Sequence, residues 1–324
     1  MLLTDYPSFV PLHDYTRAID SMLDKLKQLP GIVSVYQIGG VSNPGISDID
    51  LLVLFEDDAR CALNPLDGLS TTERYLYVHN LFGTSVGIFR GYLKYDFFHN
   101  YRLLYGREFE FDSAKLPQAQ REAVNAQSAL EYLVKMYINM TIERIYGIVR
   151  ARGVLLLAKA VKYDLDALGR SDGAPAEMIR QIMDWRKHWF DAAPTGDSIV
   201  RWHGRFYEEL REILRKGIAA HGFFIPSWAD RRIAANVRLR DAPDVGYRRR
   251  GVALPSAFGR LGRKYFNMQH RLNRFVFELP ITSDSIPAPL LERHGFITDA
   301  CEYNWRHLRC FIPVPYGISI FRRH

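Results

Sequence analysis

IGGVSNPGISDIDLLVL, residues 38–54, is the stretch that decides the fold of the first part of this 324-residue chain. In an extended segment side chains alternate between two faces, so Asp48 and Asp50 lie on one face while the apolar residues between and after them enter the core. Two parallel carboxylates this close repel each other unless a cation lies between them. Carboxylate oxygens suit Mg²⁺, which proteins hold with one or two carboxylates together with substrate phosphates. The spacing therefore predicts a metal-bound, phosphorylated substrate.

A glycine turn precedes this strand. Residues 31–38 have the composition of a strand and are followed by Gly39 and Gly40. Paired glycines at a strand end let backbone N–H groups approach phosphate oxygens, because no Cβ stands in the way. Residues 41–47 are rich in turn formers and hydroxyl groups. The predicted order is strand, glycine turn, loop, and a second strand that carries the carboxylates.

This order of elements resembles the nucleotidyltransferase superfamily related to DNA polymerase β. The signature of that family is a Gly-Gly or Gly-Ser pair followed by an Asp-x-Asp strand, and the resemblance covers the first third of the chain. It implies an α/β (α+β) fold with a mixed sheet. It also implies transfer of a nucleoside monophosphate from a nucleoside triphosphate to an acceptor hydroxyl, with release of pyrophosphate.

The resemblance assigns roles by position. Asp48 and Asp50 are expected to hold Mg²⁺ or Mn²⁺ and to act in catalysis. The residues predicted to bind the nucleotide are Gly39, Gly40, Ser42, Ser47 and Lys159. Ser42 is a weaker match, since the serine of the family usually takes the place of Gly40. ATP is the expected nucleotide, although the motif does not determine the base.

Members of this superfamily normally take a third carboxylate from a later strand, to complete a two-metal site and to act on the attacking hydroxyl. The predicted strand 74–79 is followed by Asn80, which cannot carry a negative charge. Asp96 has a suitable position in the chain, but it lies in segment 86–104, where the apolar spacing is helical. Three possibilities stay open: Asp96, which is the first choice; Glu108 or Glu110, in a predicted short strand; and no third carboxylate.

Helices are predicted for residues 118–217. Apolar residues recur at helical spacing over 131–150 and again over 152–168, with Gly153 as a predicted interruption. Many nucleotidyltransferases of this kind have a helical bundle after the catalytic domain, and a basic residue of the bundle can reach the triphosphate. Lys159 and Lys162 are nominated for that contact. The alternative is that they belong to the solvated face of an amphipathic helix.

Basic charge is concentrated in the last third. Residues 221–324 contain 17 Lys and Arg against 8 Asp and Glu, while the whole chain has a net charge of +7. Arginine forks suit phosphate and carboxylate groups. An acceptor that is phosphorylated or polyanionic, such as RNA, a nucleotide-sugar or a lipid-linked phosphate, fits this composition, and so does a solvated basic surface. Segment 240–251, rich in charge and helix breakers, is predicted to be a mobile loop.

Three parts are predicted: a nucleotidyltransferase-like catalytic domain over 1–115, a helical bundle over 116–220 and an arginine-rich C-terminal region over 221–324. With 48% hydrophobic residues the chain can bury two or three cores. It contains no apolar run of about 18 residues, so no transmembrane segment is expected. Its three scattered cysteines predict neither a disulfide framework nor a cysteine zinc site, and a cytoplasmic location is expected.

The sequence thus predicts an enzyme, a magnesium-dependent nucleotidyltransferase. Two alternatives stay open. A nucleotide-binding module that has lost catalysis would bind nucleotide and Mg²⁺ without releasing pyrophosphate. An RNA-binding protein that relies on its basic C-terminal third would keep its affinity for RNA after both Asp48 and Asp50 were replaced.

Overall fold

The chain forms two units, which are described separately. The computed structural model describes residues 1–95, 100–109 and 116–313. The sheet unit contains Ser8–Arg121 and residues 292–313, and the helical unit contains Met1–Pro7 and Glu122–Leu291. The predicted domain boundaries lie after residues 115 and 220, whereas the two units divide the chain after Pro7, Arg121 and Leu291.

The sheet unit contains a mixed four-stranded sheet with helices, in agreement with the predicted mixed α/β architecture. Strands and helices are numbered along the chain, beginning with β1 at Leu2–Thr4 in the helical unit. The elements of the sheet unit are α1 Leu12–Leu26, β2 Ile32–Ile38, β3 Asp50–Phe55, α2 Thr71–Leu76, β4 Phe82–Ser85, α3 Val86–Tyr92, a 3₁₀ turn Leu93–Tyr95, β5 Tyr101–Gly106 and most of α9, Ala288–His307. The strand order is β4-β3-β2-β5, with β3 and β4 parallel and the other pairs antiparallel.

The register of this sheet brings several strand ends to one edge. Ile38, the last residue of β2, pairs with Asp50, the first residue of β3, and with Tyr101, the first residue of β5. Strand β4 runs parallel to β3, and its first residue, Phe82, pairs with Leu52. The end of β2 and the starts of β3, β4 and β5 therefore lie at the same edge.

Strand β3 is buried on both faces. Leu51, Val53 and Phe55 belong to a core cluster that includes residues of α1. Leu52 and Leu54 belong to a second cluster that includes residues of α3. Each fully buried leucine stabilises the fold by about 1.5–3 kcal/mol relative to an exposed one. Asp50 is thus attached to the most deeply packed strand of the sheet unit.

Two elements of the sheet unit differ from the predictions. The predicted strand 74–79 is wrong, because Thr71–Leu76 is helix α2, and a capping box formed by Ser70 and Glu73 favours its helical start. Within the described part of 86–104, the predicted helical spacing holds for α3 and the following 3₁₀ turn. Tyr101–Gly106 is strand β5, because pairing with β2 overrides the local spacing.

The helical unit contains long helices, two short paired strands and a four-stranded sheet. Its elements after β1 are α4 Gln118–Tyr146, β6 Ile148–Arg150, α5 Ala151–Ala167, α6 Gly173–Ala192, α7 Gly196–His221, β7 Arg232–Ala234, β8 Val237–Asp241, β9 Gly246–Gly251, a 3₁₀ helix Ser256–Leu261, α8 Arg263–Leu272 and β10 Asn273–Leu279. Helix α4 begins within the sheet unit. Strands β1 and β6 pair in parallel, and the larger sheet has the order β7-β8-β10-β9.

Helix α4 ends at a different glycine from the one predicted. Gly147 has a φ of +68°, which favours glycine, and it separates α4 from strand β6. Gly153, the predicted interruption, lies inside α5. The end of the helix at Gly147 frees residues 148–150 to pair with β1.

The predicted mobile loop at 240–251 is also wrong. Residues 240–241 end β8 and Gly246–Gly251 form β9, which pairs along its whole length with β10. Local composition favoured a loop, but cross-strand pairing with a distant segment decides the structure here. Among the described residues, no helix is long and apolar enough to cross a membrane.

The capping box of α2 gives a test of this fold. Ser70 Oγ accepts from the backbone N–H of Glu73 at 3.2 Å, and a Glu73 carboxylate oxygen accepts from the backbone N–H of Ser70 at 2.8 Å. We expect Ser70→Ala to lower the free energy of unfolding by about 1 kcal/mol, measured by urea denaturation. Ser70→Asp, which retains a cap, should change it little, and equal stability of the wild type and Ser70→Ala would contradict the assignment.

Candidate metal and nucleotide site

The two aspartates lie at the start of β3. The strand begins at Asp50, and Asp48 precedes it in the loop. Ile49 and Leu51 are fully or almost fully buried, whereas both aspartates are partly exposed. The predicted alternation therefore extends back to Asp48, although the hydrogen-bonded strand starts two residues later.

His79 joins the two aspartates. Its Nε2 lies 3.0 Å from Oδ1 of Asp50. Ligand atoms of Asp48, Asp50 and His79 all lie within 4.8 Å of one another, which is a spacing that could hold a metal ion. We call these three residues the aspartate–histidine cluster.

The backbone orients the ring of His79. Nδ1 of His79 lies 2.7 Å from the carbonyl oxygen of Asn80 and donates its N–H there. In the neutral ring this leaves the lone pair on Nε2, which faces Asp50. Metal-binding histidines are commonly fixed by the same kind of bond from the second ring nitrogen. Asn80 thus contributes its carbonyl, although its side chain cannot replace a carboxylate.

The two carboxylates of the cluster carry more negative charge than His79 alone can neutralise. Oδ1 of Asp50 is buried and, apart from the His79 nitrogen, has no hydrogen-bond partner in the part of the chain that the structure describes. Burial lowers the pKa of His79, but the adjacent Asp50 carboxylate, the Asn80 carbonyl and Asp48 outweigh burial and raise that pKa above its usual range. The site therefore stabilises a cation beside Asp50, either a protonated imidazole or a metal ion.

A buried tyrosine fixes the loop that carries Asp48. Tyr15, on α1, accepts from the backbone N–H of Gly45 at 2.8 Å and donates to the carbonyl of Ser47 at 2.7 Å. Tyr75, on α2, donates to the carbonyl of Gly45 from the other side. Two helices of the sheet unit therefore hold the loop just before the cluster.

The predicted glycine turn lies at the same edge as the cluster. Gly39 follows β2 with a φ of +67°, and a Cβ there would meet nothing within 4 Å. Its N–H already donates to the carbonyl of Asn100 at 3.1 Å, so this amide is engaged. Gly40 and Ser42 are exposed, and the Ser42 N–H donates to the Gly40 carbonyl at 3.2 Å. The exposed turn at Gly40 is thus the part that a phosphate can approach.

Ser47 has a structural role in this loop. Its side chain is buried, and its hydroxyl oxygen accepts from the backbone N–H of Asn43 at 3.2 Å. The Ser47 N–H donates to the Asn43 carbonyl at 2.8 Å. Its predicted contact with the nucleotide stays a prediction.

The remaining predicted site residues lie outside the described residues or outside the cluster. Asp96, the first choice for a third carboxylate, and Glu110 lie outside the described residues. Glu108 is exposed in the segment after β5, and not in a strand as predicted. Lys159 lies on α5 of the helical unit and is partly buried. Its contact with a triphosphate stays a prediction.

The sequence analysis missed His79. It lies three residues before β4, and its role depends on β4 pairing in parallel with β3, so that both strands start at one edge. The available signal was the position of a histidine just before an apolar strand. The strand predicted for residues 74–79 includes His79, so His79 was not recognised as a residue at the start of another strand. Residues 71–76 in fact form α2.

A separate cavity of about 470 Å³ lies in the helical unit. It is lined by charged residues of both signs, and no residue of the aspartate–histidine cluster contributes to it. Glu143 in its wall lies 3.1 Å from Arg150 and 3.1 Å from His203. Arg150 of the same wall therefore neutralises the Glu143 carboxylate.

Comparison with known proteins gives a structural match of low similarity. No family model matches the chain, and no curated protein matches it. The chain matches a solved structure, the crystal structure of spectinomycin adenyltransferase AAD(9) from Enterococcus faecialis with ATP and spectinomycin. The match has 10% identity and a TM-score of 0.27, and covers 62% of this chain and 99% of that one.

The role of His79 can be tested by binding of Mn²⁺ in titration calorimetry. We expect His79→Ala to weaken binding at least about tenfold, because a ligand nitrogen is lost. If His79 merely neutralised the aspartates, its removal would leave binding unchanged or strengthen it, and the assignment as a ligand would be wrong.

The loop anchor predicts a second effect. Tyr15→Phe removes both bonds to the loop, and we expect weaker binding of Mn²⁺ together with a loss of about 1–3 kcal/mol in the free energy of unfolding. Tyr36→Phe is the matched control: Tyr36 is equally buried, at 1% exposure, but its hydroxyl accepts from the Phe109 backbone N–H. If both variants weakened Mn²⁺ binding equally, the loss would reflect general instability.

Proposed function

We propose that this chain is a nucleotidyltransferase, which moves a nucleoside monophosphate from a nucleoside triphosphate to an acceptor hydroxyl. The observation that supports this most is the convergence of Asp48, Asp50 and His79 at the sheet edge where the glycine turn ends β2. Ligands for a divalent cation and backbone N–H groups for phosphate are thereby gathered at one edge. A metal-bound triphosphate requires both.

The cluster fits Mg²⁺ or Mn²⁺. Asp48 and Asp50 offer carboxylate oxygens, and the buried Oδ1 of Asp50 needs a positive partner. When such an ion is bound, it supplies positive charge that neutralises the triphosphate and the leaving pyrophosphate. Mg²⁺ strongly prefers oxygen, so the His79 nitrogen favours a transition metal such as Mn²⁺.

In the proposed reaction the oxygen of the acceptor hydroxyl attacks the α-phosphorus. The bond from that phosphorus to the oxygen that bridges to the β-phosphate breaks, and pyrophosphate leaves with the electron pair. The hydroxyl proton passes to a base, for which Asp96 is the proposed residue. Gly40 and the loop beside it orient the triphosphate, which lowers the entropic cost of the attack.

The substrates follow from the resemblance and from the charge of the chain. ATP is the expected nucleotide, and Lys159 is a proposed contact for its phosphates. The acceptor is proposed to be phosphorylated or polyanionic, with RNA, a nucleotide-sugar and a lipid-linked phosphate as candidates. The resemblance alone does not choose among them.

One observation favours a second candidate, a nucleotide-binding module without catalysis. In the described part of the sheet unit the third group of the cluster is the imidazole of His79, where the family normally has a carboxylate. A protonated His79 would supply a positive charge beside Asp50 without any metal ion. Such a protein would bind nucleotide but would not release pyrophosphate.

Release of pyrophosphate and self-labelling with each of the four α-labelled ribonucleoside triphosphates test the proposal. With Mn²⁺ or Mg²⁺ and cell extract as the source of acceptor, we expect turnover with one nucleotide. Asp48→Asn and Asp50→Asn should each reduce it at least about 100-fold, because a metal ligand is lost.

Asp58→Asn is the matched control for these variants. Asp58 is exposed and follows the other end of β3, so the substitution makes the same charge change away from the cluster. Activity should survive it. Nucleotide binding without pyrophosphate release, with any nucleotide or extract, would favour the module that has lost catalysis.

A further inference from the structure

Six arginines are brought to one exposed face of the small sheet in the helical unit. We call this the arginine face, and its members are Arg232, Arg238, Arg240, Arg248, Arg250 and Arg274. They come from all four strands of the sheet, β7, β8, β9 and β10. No single segment of the sequence contains the pattern, because the strands that carry it are separated along the chain.

The register places these arginines opposite one another. On β8, Arg238 and Arg240 are exposed and alternate with the buried Val237 and Leu239. Arg238 pairs with Arg232 of β7 and with Val276 of β10. Because residues that pair across strands share a face, these residues form one row on the side away from the core.

The row continues onto β9. Val276 also pairs with Arg248, and Arg274 of the same strand pairs with Arg250. The buried residues Phe275 and Phe277 alternate with them and face the core. The arginines thus extend across the sheet from one edge strand to the other, with Val276 and Glu278 of β10 among them.

Little of this charge is neutralised. Within the described residues, Arg248 lies 2.7 Å from Glu278 and Arg232 lies 3.5 Å from Asp230. Arg274 donates to backbone carbonyls at the end of α8. No ion pair of Arg238, Arg240 or Arg250 is found in the described part of the chain, and Glu278 is the one acid on the face there. Net positive charge at this density is stabilised by an external anion.

Protection of a sheet edge does not account for the array. Charged residues on an edge strand prevent pairing with another chain, and Arg248 and Arg250 on β9 could serve in that way. Arg238, Arg240 and Arg274, however, lie on the interior strands β8 and β10. Arg238 is paired on both sides, with Arg232 and with Val276, so protection of an edge does not explain its charge.

The dimensions suit an extended anion. Neighbouring arginines on one side of a strand are about 6.8 Å apart, and four strands span about 14 Å. The face is an exposed sheet surface, so it favours a series of phosphates over one small ligand. Arginine forks bind phosphate oxygens in a bidentate manner, which strengthens each contact.

The composition of the face indicates duplex nucleic acid. Proteins that bind single strands commonly stack bases on aromatic side chains. The described residues that share this face in β8, β9 and β10 are arginines, Val276, Glu278 and Gly246, none of which is aromatic. Such a surface can contact phosphates but offers no platform for bases, and phosphate contacts carry no sequence information.

We infer that the arginine face binds the phosphate backbone of duplex nucleic acid without preference for sequence. This function goes beyond nucleotidyl transfer and does not depend on it, because the arginine face and the aspartate–histidine cluster have no residue in common. It adds to the chain a means of holding a nucleic acid by shape and charge.

Fluorescence anisotropy with short labelled duplexes of DNA and of RNA tests the inference. We expect binding of the full chain with a slope of log K against log salt of about −3 to −5, from four or five phosphate contacts. Arg238→Gln together with Arg240→Gln should make the slope shallower by about 1.8, since two contacts are lost. These two substitutions together should weaken duplex binding at least about tenfold at 0.1 M salt, because two arginine contacts with phosphates are lost.

Arg201→Gln together with Arg205→Gln is the matched control. Both residues are exposed on α7, so the net charge changes equally at a place outside the face. The control should keep the affinity and slope of the wild type, and both pairs should keep the thermal unfolding midpoint of the wild type. Asp48→Asn with Asp50→Asn should bind the duplex normally, which separates this inference from the proposed catalysis.

Several results would overturn the inference. These are absence of duplex binding, equal losses in the control pair, or a preference of tenfold or more for one duplex sequence. Stronger competition by heparin or by vesicles of acidic lipid than by unlabelled duplex would assign the face to another polyanion. A single-stranded oligonucleotide that bound more tightly than the duplex would also overturn it.

Discussion

The register between β2 and β3 is the constraint on which the candidate site depends. Ile38 pairs with Asp50, so the glycine turn after β2 and the first carboxylate of β3 are held at one sheet edge. A slip of one residue would separate Asp50 from the end of β2 and would exchange the side chains that fill the two apolar clusters. The two apolar clusters that cover β3 prevent this slip, because its residues after Asp50 are buried on both faces. Packing thus determines where the charges lie.

Positive charge can be supplied to the aspartate–histidine cluster in two ways. A proton on His79 places a positive charge beside Asp50, and a divalent cation between the ligands does the same. The two exclude each other at the ring, since an imidazole that binds a metal ion must be deprotonated. Metal binding here is therefore linked to proton release. The bond from His79 to the Asn80 carbonyl keeps the ring oriented in both states.

The two units arrange their charged side chains differently. In the sheet unit, carboxylates converge on a point at the end of a buried strand, which suits a small, highly charged ion. In the helical unit, arginines spread across an exposed sheet, which suits a long anion. Both arrangements come from the same alternation of side chains along strands. The difference lies in whether the charged residues stand at a strand end or along its length.

The local features could be predicted from the sequence: the strand that ends at Ile38, the glycine turn, the carboxylates flanking Ile49, the helices between 118 and 217 and the excess of arginine in the last third. Each of these depends on residues that are neighbours in the chain. Tertiary structure alone decided that β5 and β9 are strands, that His79 lies against Asp50, and that six arginines share one face. These results depend on pairing between distant segments, and that pairing outweighs local propensity because it buries far more apolar surface than any single segment can bury alone.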